Sequence, residues 1–178
     1  MFNNRLLFIF LLFILSLGAK AQVQVAGGLS LNYAPYASYD NNSGSGMLAS
    51  IFGDLIINDH FIARAHASRL LVNTFTGGTL NSSFAANGSL GYNAVFAERK
   101  LEVPFMATLG YINIWYPVLN DDFYDASLQI GGMITPTYYL TEQLALITGI
   151  RYLKGTEAFG GAEIDLLDLS VGLRLRLF

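Results

Sequence analysis

The sequence predicts an all-β chain, an eight-stranded, antiparallel, up-and-down transmembrane β-barrel. Three observations carry that prediction. Only 13% of the residues are charged, against about 25% in ordinary soluble domains. Hydrophobic residues make up 53% of the chain, yet beyond residue 21 they never gather into the run of about 20 that a membrane helix needs. They alternate instead with Gly, Ser, Thr, Asn and Gln, which is the period of a strand with one face in oil.

The first residues stand apart from the barrel. "MFNNR" carries Arg5, "LLFIFLLFIL" is a short apolar core, and Ala19, Lys20 and Ala21 have the small-x-small form of a cleavage site. That core is too short to span a bilayer. Residues 1–21 therefore read as a cleaved signal peptide and residues 22–178 as one barrel domain. Without Arg5 and Lys20, eight basic residues face 13 acidic ones, so the net charge moves from −3 to −5. An acidic chain with no basic cluster argues against nucleic acid as a partner. The chain has no cysteine, which excludes a disulfide framework, a thiolate metal site and a lipid-anchored lipoprotein.

Eight segments show the alternation, separated by turn-forming clusters. The first sets Val23, Val25, Leu29, Leu31 and Tyr33 against Gln24, Ala26, Gly28, Ser30 and Asn32. "GMLASIFGDLII" is apolar in both phases, and Asp54 alone marks its inward face. "HFIARAHASRLLV" puts Arg64, His66 and Ser68 on one face and three alanines on the other. Arg69 falls on the alanine side, which predicts a bulge or an exit from the bilayer before it. The fourth segment sets Phe84, Leu90, Tyr92 and Phe96 against Asn87, Ser89, Gly91 and Asn93. "VPFMATLGYINIWY" is again apolar in both phases. The sixth sets Leu128, Ile130, Ile134 and Tyr138 against Ser127, Gln129, Thr135 and Thr137. The seventh places Leu144, Leu146, Ile150 and Tyr152 opposite Ala145, Gly149 and Arg151. The last, "DLSVGLRLRLF", alternates Leu169, Val171, Leu173, Leu175 and Leu177 with Ser170, Gly172, Arg174 and Arg176. Glycines recur inside these segments, and each would weaken a helix by roughly 1 kcal/mol.

The connections alternate in length. Long ones, around residues 35–45, 74–83, 117–125 and 154–163, are rich in Gly, Asn, Ser and Asp; the short joints are "NDH", "AERKLE" and "LTEQ". That alternation puts all long loops at one end, as in barrels with short periplasmic turns. Aromatic residues cluster near both ends of the segments, as interfacial girdles do. Tyr33, Tyr36, Trp115, Tyr116, Phe123, Tyr124 and Tyr152 lie towards the long loops, and Phe61, Phe96, Phe105, Tyr138 and Tyr139 towards the short turns.

The sidedness follows from energy. An arginine facing lipid at mid-bilayer costs roughly 2–4 kcal/mol, so the leucines of the last strand face lipid and Arg174 and Arg176 face the lumen. The inward charge network is expected to comprise Asp54, Arg64, His66, Arg151, Asp168, Arg174 and Arg176. An eight-stranded barrel is just wide enough for its side chains to fill, so these groups are expected to plug the lumen as ion pairs. Arginine exceeds aspartate in that set, which brings Glu163 or water in as further partners. A narrow ion path is the competing reading. "DNNSG" at Asp40 and "NDD" at Asn120 do not match a calcium loop and read as solvated tips. No metal site and no cofactor is expected.

Signal segment, alternating strands, alternating loops and a terminal Phe178 together resemble the small outer-membrane β-barrel proteins, the OmpA/OmpX/OmpW-like group and its PorT-like relatives. The resemblance covers residues 22–178 and rests on pattern. It implies that the last strand, with Leu173, Leu175, Leu177 and Phe178, is the signal read by the barrel-assembly machinery. Phe178 departs from the family pattern by sharing parity with Arg174 and Arg176. Some barrels of this kind modify lipid A with a His, a Ser and an acidic partner at the lipid-facing or external rim. His66 and Ser68 sit two apart on one face, without an acidic residue placed to orient His66, so no catalytic residue is assigned. The expected role is structural or binding, with outer-membrane lipid as surroundings and an external ligand or envelope protein as partner.

Overall fold

The structure, a computed structural model, describes residues 22–39, 42–75, 82–118, 121–156 and 163–177. Nine strands follow one another: β1 (Val23–Tyr39), β2 (Asn42–Ile57), β3 (Phe61–Phe75), β4 (Ser82–Phe96), β5 (Leu101–Val118), β6 (Asp121–Ile134), β7 (Thr137–Tyr139), β8 (Leu144–Thr156) and β9 (Ile164–Arg176). A 3₁₀ turn, Ala97–Arg99, joins β4 to β5. Every pairing is antiparallel, and β1 pairs with both β2 and β9, so the sheet closes on itself. β6 and β7 are two lengths of one stave, because both lie between β5 and β8. The barrel therefore has eight staves.

The break in the sixth stave has a local cause. Pro136 has no N–H to donate to the ladder, and Pro104 lies across from the same gap. One bond survives on each side, from Thr135 N to Pro104 O at 3.2 Å and from Thr148 N to Pro136 O at 2.9 Å. Closure leaves no free edge to template aggregation. Following cross-strand partners once round the wall leaves β1 at Ala26 and re-enters it at Ala37. That stagger is the shear which tilts the strands of a closed barrel.

The wall sorts side chains by parity. Thirty large hydrophobic side chains are exposed among the described residues, from Val23 on β1 to Leu177 after β9. Water-soluble monomers rarely expose contiguous apolar patches beyond a few hundred Å². No helix among the described residues is long and apolar enough to cross a membrane; this chain crosses with strands. Leu173, Leu175 and Leu177 point outward, as the alternation of the last strand predicts. Phe178 lies outside the described residues, as do residues 1–21.

The fold corrects one expectation and removes one of the two alternatives stated for another. Within 35–45 and 117–125 the described residues continue the ladder rather than forming irregular loops: β1 and β2 stay paired to Tyr39 and Asn42, and β5 and β6 to Val118 and Asp121. Backbone beyond the membrane still needs hydrogen bonds, and the neighbouring strand offers them at no cost in loop closure. Arg69 does face outward, but no bulge precedes it. β3 keeps its register with β4 through Arg69, and the irregularity comes after it, where Leu48 pairs with Leu70 and Met47 with Val72.

The aromatic girdles are visible where side chains are described. Tyr33, Tyr36 and Tyr152 are exposed towards the long hairpins, and Phe61, Phe96, Phe105 and Tyr138 towards the short turns. Tyr92 joins the lower set. Tyr139 does not: it is buried, facing the lumen. The side chains of Tyr116, Phe123 and Tyr124 lie outside the described part.

Candidate functional site

The candidate site is the lumen itself, and it changes character along its length. At the short-turn end lies a chain of alternating charges drawn from four strands. Arg64 on β3 grips Asp54 on β2 with both edges of its fork, Nε to Oδ1 at 2.6 Å and Nη2 to Oδ2 at 2.9 Å. Arg174 Nε on β9 lies 3.0 Å from the same Asp54 Oδ2. Arg174 Nη1 donates to Glu102 Oε2 on β5 at 2.8 Å, and Arg176 Nη2 donates to Glu102 Oε1 at 2.8 Å. The order is Arg64, Asp54, Arg174, Glu102, Arg176. Two carboxylates thus bridge three guanidinium groups, and the Arg64–Asp54 pair has the bidentate geometry that makes such contacts strong.

Aromatic rings brace both ends of this chain. The Arg64 guanidinium lies 4.5 Å from the Phe52 ring centre, and that of Arg176 lies 4.3 Å from the Tyr139 ring, each a cation–π contact. Tyr139 Oη also donates to Glu102 Oε2 at 3.3 Å. The Phe52 ring has room because position 28 is glycine. A Cβ there would sit 2.4 Å from the ring and 2.2 Å from the Leu173 carbonyl.

Half-way up, a second pair stands alone. Arg151 Nε on β8 donates to Asp168 Oδ2 on β9 at 2.8 Å, and Asn32 Nδ2 donates to Asp168 Oδ1 at 3.1 Å. Arg151 Nη1 lies 2.8 Å from His66 Nδ1. An arginine only donates, so Nδ1 is the acceptor and the ring carries its hydrogen on Nε2. Ser30 and Ser50 both bond to Asn32 Oδ1. A cavity of about 20 Å³ remains here, lined by Ser30, Asn32, His66, Arg151, Asp168 and Ser170 among others. That is space for one water molecule.

Above this layer the filling turns apolar. Ala34, Leu48, Leu153 and Leu166 form one buried cluster, with Ala37 and Leu70 packed against it. Ala85, Ile112, Ile114 and Ile164 form another. Both sit where β1–β2, β5–β6 and β8–β9 run out towards their long hairpins. A third cluster, Ile56, Ile62, Met106 and Met133, flanks the charged chain at the lower end. The lumen towards the long hairpins is thus filled by apolar clusters with buried, uncharged Ser68, Ser83, Ser127 and Gln129 among them.

The structure brings together the sequence-predicted charges in two groups, not one. Asp54, Arg64, Arg174 and Arg176 join the lower chain; His66, Arg151 and Asp168 join the upper pair. Arg176 is the partly exposed member, with 21% of its side chain open. Glu163 is exposed and absent from both groups; the missing carboxylate is Glu102. It was hidden inside the turn segment "AERKLE". Its parity with Thr108 and Gly110 was the available signal, blurred by apolar residues on both faces of β5. His66 and Ser68 are buried in the lumen and do not reach the lipid face or an external rim. Among the described residues no cluster of potential metal ligands occurs.

A closed eight-stranded barrel that is oily without and ionic within has the architecture of the small outer-membrane barrel proteins. No protein-family model matches the chain, and no curated protein matches its sequence. Solved structures do. The chain is similar to Neisserial surface protein A (NspA), with 18% identity, 87% of this chain and 97% of that one covered, and a TM-score of 0.68. It is similar to Ail, the attachment invasion locus protein of Yersinia pestis, at 6% identity over 87% and 97% of the two chains, TM-score 0.59. The outer membrane protein OprG from Pseudomonas aeruginosa matches at 12% identity over 87% and 95%, TM-score 0.52. At such identities the shared property is the fold, an outer-membrane β-barrel.

Proposed function

We propose that this protein is a closed, non-conducting barrel with a structural or binding role, holding its long hairpins outside the outer membrane for envelope integrity, adhesion or a partner. The observation that supports this is the filled lumen. Ion pairs fill the lower half, apolar clusters with a few buried uncharged polar groups fill the upper half, and a cavity between them has room for a single water. Conduction needs an open path for ions, and buried side chains fill the lumen here, the ionic ones paired and the upper ones mostly apolar. Lipid modification lacks its expected machinery, because His66 and Ser68 face inward and Arg151 occupies His66 Nδ1.

In the same reading, residues 1–21 are removed on export, the short-turn end faces the periplasm, and the last strand with Phe178 is recognised by the barrel-assembly machinery. N-terminal sequencing of the exported protein should begin at Gln22. Planar-bilayer recording of the purified barrel should show no stepwise conductance; regular single-channel steps would sink the closed-barrel reading. Lipid A turnover that disappears with His66→Ala would restore the enzyme reading.

A further inference from the structure

Three features meet at the short-turn mouth. The first is a charge imbalance. Among the described residues the lumen holds four arginines, Arg64, Arg151, Arg174 and Arg176, against three carboxylates, Asp54, Glu102 and Asp168. An uncompensated cation away from water is costly, and the surplus falls at Arg176, where the chain of charges reaches solvent. The second is a pocket of about 640 Å³ at that place, lined by Arg176, Tyr139, Arg99, Lys100, Leu140 and Leu177 among others. Its size is that of a small-ligand site. The third is the shape of the turn that supplies Arg99 and Lys100. Ala97, Glu98 and Arg99 all adopt positive φ, at 50°, 53° and 70°. Such conformations persist in non-glycine residues only when their surroundings fix them. Here Arg99 Nη2 is tied to Asp59 Oδ2 at 2.7 Å, and Tyr139 N donates to Lys100 O at 2.8 Å.

We infer that this pocket binds a short peptide through its terminal carboxylate, with Arg176 and Lys100 as the receiving cations. The guanidinium of Arg176 is held over the Tyr139 ring and donates through Nη2 to Glu102. A planar fork so held is suited to a planar carboxylate. Lys100 has no carboxylate partner among the described residues. Exposed Leu140 offers apolar contact for a side chain. Glu98 and Glu142 also line the pocket. They would repel a polyanion and attract an amino group, which favours a zwitterionic peptide over a phosphate ester.

The test uses the full-length barrel in detergent micelles, so that binding does not depend on which way the protein faces in a membrane. Tri-alanine, tri-alanine amide and inorganic phosphate are titrated separately while amide and arginine Nε–H resonances are followed by NMR. Saturable shifts are expected with tri-alanine at roughly millimolar concentration, centred on Lys100, Tyr139 and Arg176, and not with the amide. Lys100→Gln, an exposed position that carries no folding risk, should weaken binding at least about tenfold, the weight of one charge-assisted contact. Arg176→Gln should abolish saturation in protein that still shows the heat-modifiable migration of a folded barrel. Equal binding of acid and amide, an unaffected Lys100→Gln variant, or saturation by phosphate alone would each overturn the assignment.

Discussion

At the short-turn end of the lumen, ionic side chains from β2, β3, β5 and β9 are linked in one chain; at the long-hairpin end, leucines, isoleucines and alanines pack in clusters whose buried polar neighbours are uncharged. Both ends are buried, yet they tolerate change by different rules. An apolar cluster loses in proportion to what is removed, because neighbours collapse only partly into the space. A shared-carboxylate network loses more abruptly, because removing a bridging carboxylate takes a partner from two guanidinium groups at once. The lower end therefore depends on specific partners and the upper end on volume.

Mutations can break or sharpen that contrast. The largest effect is expected for Asp54→Ala, which leaves Arg64 with no carboxylate and Arg174 with only Glu102. A loss of about 3–5 kcal/mol should appear as a lowered urea midpoint in lipid vesicles. At the opposite end Leu153, fully buried, should cost about 2–5 kcal/mol when changed to Ala, while Leu153→Met costs less than about 1.5 kcal/mol. If Asp54→Ala proved as mild as Leu153→Met, the distinction between the two ends would fail. The lipid face supplies the third comparison. Leu173→Arg should cost roughly 2–4 kcal/mol and block assembly, scored as loss of heat-modifiable migration, whereas Leu173→Phe should assemble normally. Equal tolerance of the two would place Leu173 out of hydrocarbon. The smallest effect is expected for Arg99→Ala at the rim. That side chain is 54% exposed, so its pair with Asp59 should be worth less than about 1 kcal/mol in the same urea titration.

Legibility in the sequence followed the same division. The last strand could be read residue by residue, because Leu173, Leu175 and Leu177 differ so sharply from Arg174 and Arg176 that only one sidedness avoids charge in oil. β2 and β5 were obscure. Their inward positions carry Leu48, Phe52, Ile56, Met106, Ile112 and Ile114, so both faces look alike in sequence and only Asp54 marked the inside of β2. Glu102 was missed for a related reason: it follows the charged run of a turn and reads there as a solvated residue. Tyr139 was assigned to a girdle because an aromatic near a strand end fits that place as well as it fits the lumen.

The sequence by itself determined the number of crossings, the lipid-facing side of the strands other than β2 and β5, and the end at which the long connections gather. These follow from local alternation and from the cost of burying charge in hydrocarbon, which act on each segment alone. Tertiary structure decided which charges meet. Arg174 and Glu102 lie 72 positions apart, and only ring closure and stagger bring β9 and β5 to face one another across the lumen. It also decided that apolar clusters form towards the long-hairpin end, because whether inward leucines from separate strands meet depends on strand tilt, which no single segment records.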